Sequence, residues 1–115
     1  MKIRAAISAD VTLYDLVLFN DVSNQWIKAS SHTGMIGSVI GIDVSTSEAI
    51  ISLSGELKAL TSRIIAPHGG LLNIENGRVF VDNTTGSMHR LVFPYTGDLD
   101  EDGNIPDGTL VNILI

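Results

Sequence analysis

The sequence predicts an all-β protein, a small single-domain β-sandwich or barrel of about ten short antiparallel strands. Three observations predict it. The apolar residues recur with period two rather than 3.6. Turn residues punctuate the chain every eight to twelve positions, and Gly occurs 11 times, mostly between or inside apolar runs. Asn76-Gly77 stands between two alternating runs, the strongest short-range signal of a hairpin, because a type I′ turn needs positive φ at both central positions.

Taken in order, Lys2 to Ser8 alternates with Ile3, Ala5 and Ile7 on one face. Leu13 to Phe19 and the short Gln25 to Ala29 follow. Met35 to Val44 is a longer apolar run carrying Gly37 and Gly41, and Ala49 to Leu53 is apolar apart from Ser52. Glu56 to Leu60 and Arg63 to Ala66 come next. Leu71 to Glu75 and Arg78 to Asp82 flank the Asn-Gly turn, and Met88 to Phe93 and Leu110 to Ile115 complete the set. No segment carries a sustained helical stripe.

The chain has 115 residues, 44% hydrophobic and 17% charged, with a mean hydropathy of +0.29. That length suits one domain, here 1–115, with the strand region 1–10 as a candidate interface arm. The hydropathy excludes intrinsic disorder. Cysteine is absent, which excludes disulfides, thiolate metal sites and cysteine nucleophiles. Met1-Lys2-Ile3-Arg4 leads straight into alternating residues, and no apolar run approaches the roughly 20 residues of a membrane-crossing helix. The expectation is a soluble protein without a secretory leader.

The net charge of −6 is unevenly placed. Residues 98–107 hold Asp98, Asp100, Glu101, Asp102 and Asp107 and no base, so they account for nearly all of it. The near-neutral remainder lacks the clustered Lys and Arg that nucleic acid or an anionic membrane surface requires. A near-neutral, hydropathic body with few aromatics reads as a surface that touches other protein.

An internal echo is visible. Leu16-Val17-Leu18, Trp26-Ile27, Val39-Ile40-Gly41 and Ile50-Ile51-Ser52-Leu53 recur as Gly70-Leu71-Leu72, Val79-Phe80, Leu91-Val92-Phe93 and Leu110 to Leu114. Order and most spacings match, with the acidic segment lengthening the last gap.

Chemistry-bearing constellations are few. Asp98-Leu99-Asp100-Glu101-Asp102-Gly103-Asn104-Ile105 matches the opening of a calcium loop, where alternate carboxylates converge on a hard cation and Gly makes the sharp turn. Its twelfth position is Thr109 rather than a bidentate Glu, and no helices flank it. A solvated acidic loop is therefore the preferred reading, and Asp98, Asp100 and Asp102 are a weak calcium candidate. His32, His68 and His89 share no ligand spacing. Pro67-His68-Gly69-Gly70 reads as a turn, or as an anion-binding nest of backbone amides. Nothing resembles a nucleophile elbow, and no convergent carboxylate pair is legible, so neither enzyme activity nor a cofactor is expected. Trp26, the lone tryptophan, reads as a core or inter-subunit anchor, and less readily as a sugar platform. Lys2, Ile3, Arg4 and Ala5 form a candidate edge strand for pairing with another chain. Leu114 and Ile115 end the sequence on an apolar note and are further interface candidates.

The wording of the first half is recognisable. Asp15-Leu16-Val17, Trp26-Ile27-Lys28-Ala29, Ile40-Gly41-Ile42 and Ile51-Ser52-Leu53-Ser54-Gly55-Glu56-Leu57 follow one another, and Asp107-Gly108-Thr109-Leu110-Val111-Asn112-Ile113-Leu114 comes near the end. This resembles the small β-rich capsid decoration, or cement, proteins of tailed bacteriophages, with Tyr14 standing where their pattern has Gly. The resemblance implies a structural virion protein on the outer capsid surface. It would bind the major capsid protein, commonly as a homotrimer, without catalytic residues or cofactor. Tail-fibre and spike modules that bind host glycans use similar small β units and supply the alternative reading.

Overall fold

The computed structural model describes residues 1–31, 34–63, 71–81 and 95–114, and residues 89–91 by their backbone. Among them are ten strands: β1 (Lys2–Ala6), β2 (Leu16–Asn20), β3 (Gln25–Lys28), β4 (Ile36–Asp43), β5 (Glu48–Ser52), β6 (Glu56–Leu60), β7 (Leu71–Glu75), β8 (Arg78–Val81), β9 (His89–Leu91) and β10 (Leu110–Leu114). The expected run at Arg63 to Ala66 lies mostly outside the described residues. The run from Leu13 begins as a strand only at Leu16. Tyr14 has a φ of 67°, and the Asp15 carboxylate accepts from the Thr12 amide at 2.7 Å, so a turn occupies the start of that run.

The strands form two five-stranded antiparallel sheets, in the orders β1-β5-β4-β2-β3 and β6-β10-β9-β7-β8. The second order is the first with every strand advanced by five. The registers repeat as well. Ile3 faces Ile51 and Ala5 faces Ala49 in the first sheet, as Leu57 faces Ile113 and Ala59 faces Val111 in the second. Phe19 faces Trp26 as Ile74 faces Val79. Val39 faces Ile51 as Leu91 faces Ile113. Each sheet curls until its two edges meet at one parallel bridge, Ile7 to Trp26 and its counterpart Thr61 to Val79. The ladder stops there, so neither sheet is a closed barrel. The echo in the sequence is thus a repeated sheet, with Leu71 and Leu72 standing where Leu16 and Val17 stand.

Alternation sorts the side chains between two cores. Val17, Trp26, Val39, Ala49 and Ile51 fill the inside of the first sheet, with Ile7 and Val11. Leu72, Val79, Val111 and Ile113, with Leu57 and Ala59, fill the equivalent space in the second. Leu16 and Ile36 point away from their own core. With Ala29 they join the second one, so the two halves share buried apolar surface. The Ser38 hydroxyl, fully buried, donates to the Lys58 carbonyl across the same junction.

The Asn76-Gly77 turn does more than join β7 to β8. Its positive φ values, 50° and 81°, are those the sequence demands of a type I′ hairpin. Its tip is seated on the first half. The Gly77 amide donates to the Ala29 carbonyl at 2.8 Å, and the Leu16 amide donates to the Gly77 carbonyl at 2.8 Å. Any Cβ at Gly77 would lie 3.2 Å from the Asp15 carboxyl carbon. Asp15 is buried and held by the Thr12 amide and hydroxyl, with Lys28 at 3.8 Å, so it has little room to give.

Gly77→Ala should therefore cost more than the ~1 kcal/mol of left-handed strain alone. We expect about 2–3 kcal/mol in urea denaturation, with an unchanged slope. Gly55→Ala, at a φ of 78° with open space around it, should lose only the strain component of about 1 kcal/mol. Equal losses in the two variants would refute the tight seating of the hairpin.

Candidate interaction surface

The residues singled out in the sequence are placed as follows. Lys2 to Ala5 lie in β1, whose five residues pair with β5 and so belong to the first sheet. Ile3 and Ala5 turn toward the first core, and Lys2 and Arg4 face outward. The Arg4 guanidinium is occupied. Its Nη2 lies 2.8 Å from Asp43 and its Nε 2.9 Å from Glu48, pinning the outer face of β1, β5 and the end of β4. Trp26 is 7% exposed and packs in the first core, with the Phe19 ring edge-on at 5.8 Å. It is an anchor within its own chain and offers no open stacking face. Leu114 is 59% exposed at the end of β10. Ile115, His32 and the segment Pro67 to Gly70 lie outside the described residues, and His89 is described by its backbone alone.

The acidic segment is organised around Asp100. One carboxylate oxygen of Asp100 accepts from the amides of Asp102 and Asn104, each at 2.9 Å, and the Asp100 amide donates to the Asn104 carbonyl at 2.8 Å. Gly103 takes a φ of 78° to close the turn. Asp98 contributes a backbone carbonyl to the Tyr95 hydroxyl at 2.9 Å. Asp98, Asp100 and Asp102 do not converge, and among the described residues no group of three metal-ligating side chains does. The loop's work is visible at its other end. Ile105 is fully buried in the second core. The Thr61 hydroxyl donates to the Pro106 carbonyl at 2.7 Å and accepts from the Thr109 amide at 2.9 Å, while Asp107 accepts from the Arg63 amide at 2.8 Å. The loop is a cover folded over the second half.

Among the described residues, the first half has no such cover. Its β4–β5 connection is the short turn Val44–Ser47, and beside it lies a groove of about 510 Å³. Ile7 and Val11, both buried, form the floor, and Leu13, Ile42 and Val44 stand exposed around it, Val44 at 86%. Ser8, Ala9, Thr12, Gln25 and Ser47 supply the rest, and no lining residue carries a charge. Phe19, Val22 and Met35 add further exposed apolar side chains in the same half. The sequence did not single out this groove, because Leu13, Ile42 and Val44 sit in runs that read as ordinary strand residues. The signal that could have found it was the unequal length of the two equivalent gaps. A second concavity, lined by Lys28, Ser62, Arg63, Glu75, Asn76 and Arg78, is polar. Within it Arg63 is engaged by Glu75 at 2.9 Å and stacks on Phe80 at 4.5 Å.

Comparison of the chain with protein-family models, with curated proteins and with solved structures finds no match.

The Asp43 cluster yields a titration prediction. Hydrogen bonds from Ser45 first, and then from Arg4, hold the Asp43 carboxyl down to about 2. The folded value lies below the unfolded one, so this carboxylate favours the fold above roughly pH 4. That contribution is lost as the pH falls from there through about 2. Carboxyl-carbon NMR should find Asp43 titrating at about 2. Ser45→Ala and Arg4→Ala should each raise it. A normal value in the wild-type protein would remove the cluster as a clamp on β1.

Proposed function

We propose that the chain is a structural protein of a phage particle. In this reading it is a capsid decoration protein that binds the major capsid protein on the outer surface of the head and assembles as a homotrimer. The observation that carries the reading is the uncovered apolar groove of the first half, rimmed by Leu13, Ile42 and Val44, on a body that is close to neutral outside the acidic loop. Exposed apolar surface grouped in this way is the usual mark of a protein contact. The phage assignment draws on the sequence resemblance. It is supported at one point of departure from the family's wording. Tyr14, in the place of the pattern's Gly, holds a φ of 67°, the left-handed conformation that glycine adopts freely.

The mechanism is area and avidity. Each protomer would bury a modest apolar patch on the lattice, and trimerisation would make the contacts simultaneous. The glycan-binding alternative draws no support from Trp26, which is buried in the first core.

Light scattering should give a solution mass about three times that of the 12.3 kDa chain, and the protein should co-sediment with capsids that lack a decoration protein. A monomer that leaves such capsids bare would refute the proposal.

A further inference from the structure

The repeated sheet describes what belongs in the groove. Residue for residue, Ile7, Ala9, Gln25 and Ser47 of the first half stand where Thr61, Arg63, Arg78 and Thr109 stand in the second. The Ile7 amide donates to Ser47 at 3.1 Å as the Thr61 amide donates to Thr109 at 2.9 Å. The Ser8 amide donates to Trp26 at 3.0 Å as the Ser62 amide donates to Val79 at 2.7 Å. In the second half this surface is occupied by the chain's own segment Ile105 to Gly108. Ile105 is inserted in the core, and Pro106, Asp107 and Gly108 lie along Thr61, Arg63 and Arg78. In the first half no such segment lies along this framework among the described residues, and four residues, 44–47, stand in place of the long connection.

We propose that the groove of the first half takes an extended segment of a partner protein that presents an aliphatic side chain and little charge. The substitutions between the halves define that chemistry. Thr61, whose buried hydroxyl satisfies the polar backbone of the covering loop, is replaced by Ile7, which offers the occupant only apolar contact. Arg63, whose amide donates to Asp107, and Arg78, which lies beside Gly108, are replaced by the uncharged Ala9 and Gln25. A charged occupant would lose hydration in a groove whose lining holds no charged side chain to pair with it. An aliphatic side chain would gain by leaving water there, an effect worth at least tenfold in affinity. The proposal rests on reading this face as a protein contact, and not on the partner being a capsid.

The test uses the full chain, isotope-labelled, and an end-capped peptide of its own residues 103–109 as the probe for an extended aliphatic segment. Amide shifts should move saturably at Ala9, Leu13, Ile42 and Val44. The peptide carrying Ile105→Ser should bind at least tenfold more weakly, the loss expected for one buried aliphatic side chain. The peptide carrying Asp107→Asn should bind at least as well as the original. The protein variant Val44→Asp, at an exposed position that leaves folding intact, should lose the shifts. No saturable shift up to the solubility of the peptide, or shifts centred elsewhere, would overturn the inference. So would groove shifts that grow with protein concentration in the absence of peptide, since the occupant would then be a second copy of the chain. Peptide binding without capsid binding would overturn the phage reading alone, and capsid binding that survives Val44→Asp without peptide binding would overturn this inference alone.

Discussion

Two hydrogen bonds at one glycine hold this molecule together as a unit. Gly77 donates to Ala29 and accepts from Leu16, both at 2.8 Å, so the hairpin tip of the second sheet closes on the backbone of the first. The bonds need a residue that tolerates positive φ and has no side chain to strike Asp15. Once they form, Leu16, Ala29 and Ile36 face the second half, where Leu57, Leu72 and Ile113 receive them. The two cores are unequal: the first is built from its own half, and the second is completed by residues of the first. The buried polar groups at the junction follow from the same seating. Asp15 turns inward because the Thr12 amide and hydroxyl and the Lys28 ammonium lie within its reach. Ser38 turns inward because the Lys58 carbonyl accepts its proton.

Much of this was legible in the residues. The period of two placed the described strands within a few positions, since a sheet with one buried face must alternate. Asn76-Gly77 fixed its hairpin by backbone chemistry alone. The repeat could be heard in the order of the apolar runs, because equivalent core positions need apolar side chains even when identity is lost, as with Val17 and Leu72 or Ala49 and Val111. The strand order was not legible, because pairing between distant runs depends on the whole set of partners rather than on any one run. The turn at Tyr14 was hidden for another reason. Tyrosine disfavours positive φ, and what holds it there is the Val39 carbonyl accepting its amide at 2.7 Å, a contact 25 residues away in the chain.

The site was less legible than the fold. The acidic segment drew attention by its charge, yet its structural weight lies in Ile105, Pro106 and Gly108, which carry none. Its most centred carboxylate, Asp100, is turned on its own loop. Lys2, Ile3, Arg4 and Ala5 stood out as a candidate edge strand. Arg4 is bound to Asp43 and Glu48, and the β1 edge is met by Trp26 at the Ile7 bridge. The apolar groove lay in residues that a strand reading already explained. It becomes visible only when the two halves are laid on one another and, among the described residues, one is found covered and the other bare.

That asymmetry bears on function more than any single residue does. One backbone framework is used twice, and a framework by itself dictates neither a cover nor its absence. The choice is written in the side chains that would meet the cover. Thr61 is fully buried, and its hydroxyl is satisfied only because the Pro106 carbonyl and the Thr109 amide arrive from the loop. Without the loop it would be a hydroxyl facing an apolar core. Its counterpart Ile7 has no polar atom to satisfy and forms a floor that is stable whether the groove is empty or filled. A surface whose polar requirements are already met, and whose apolar rim at Leu13, Ile42 and Val44 remains in water, gains free energy from any apolar segment of suitable shape. The second half meets that demand within the chain; among the described residues, no segment of the chain meets it in the first half.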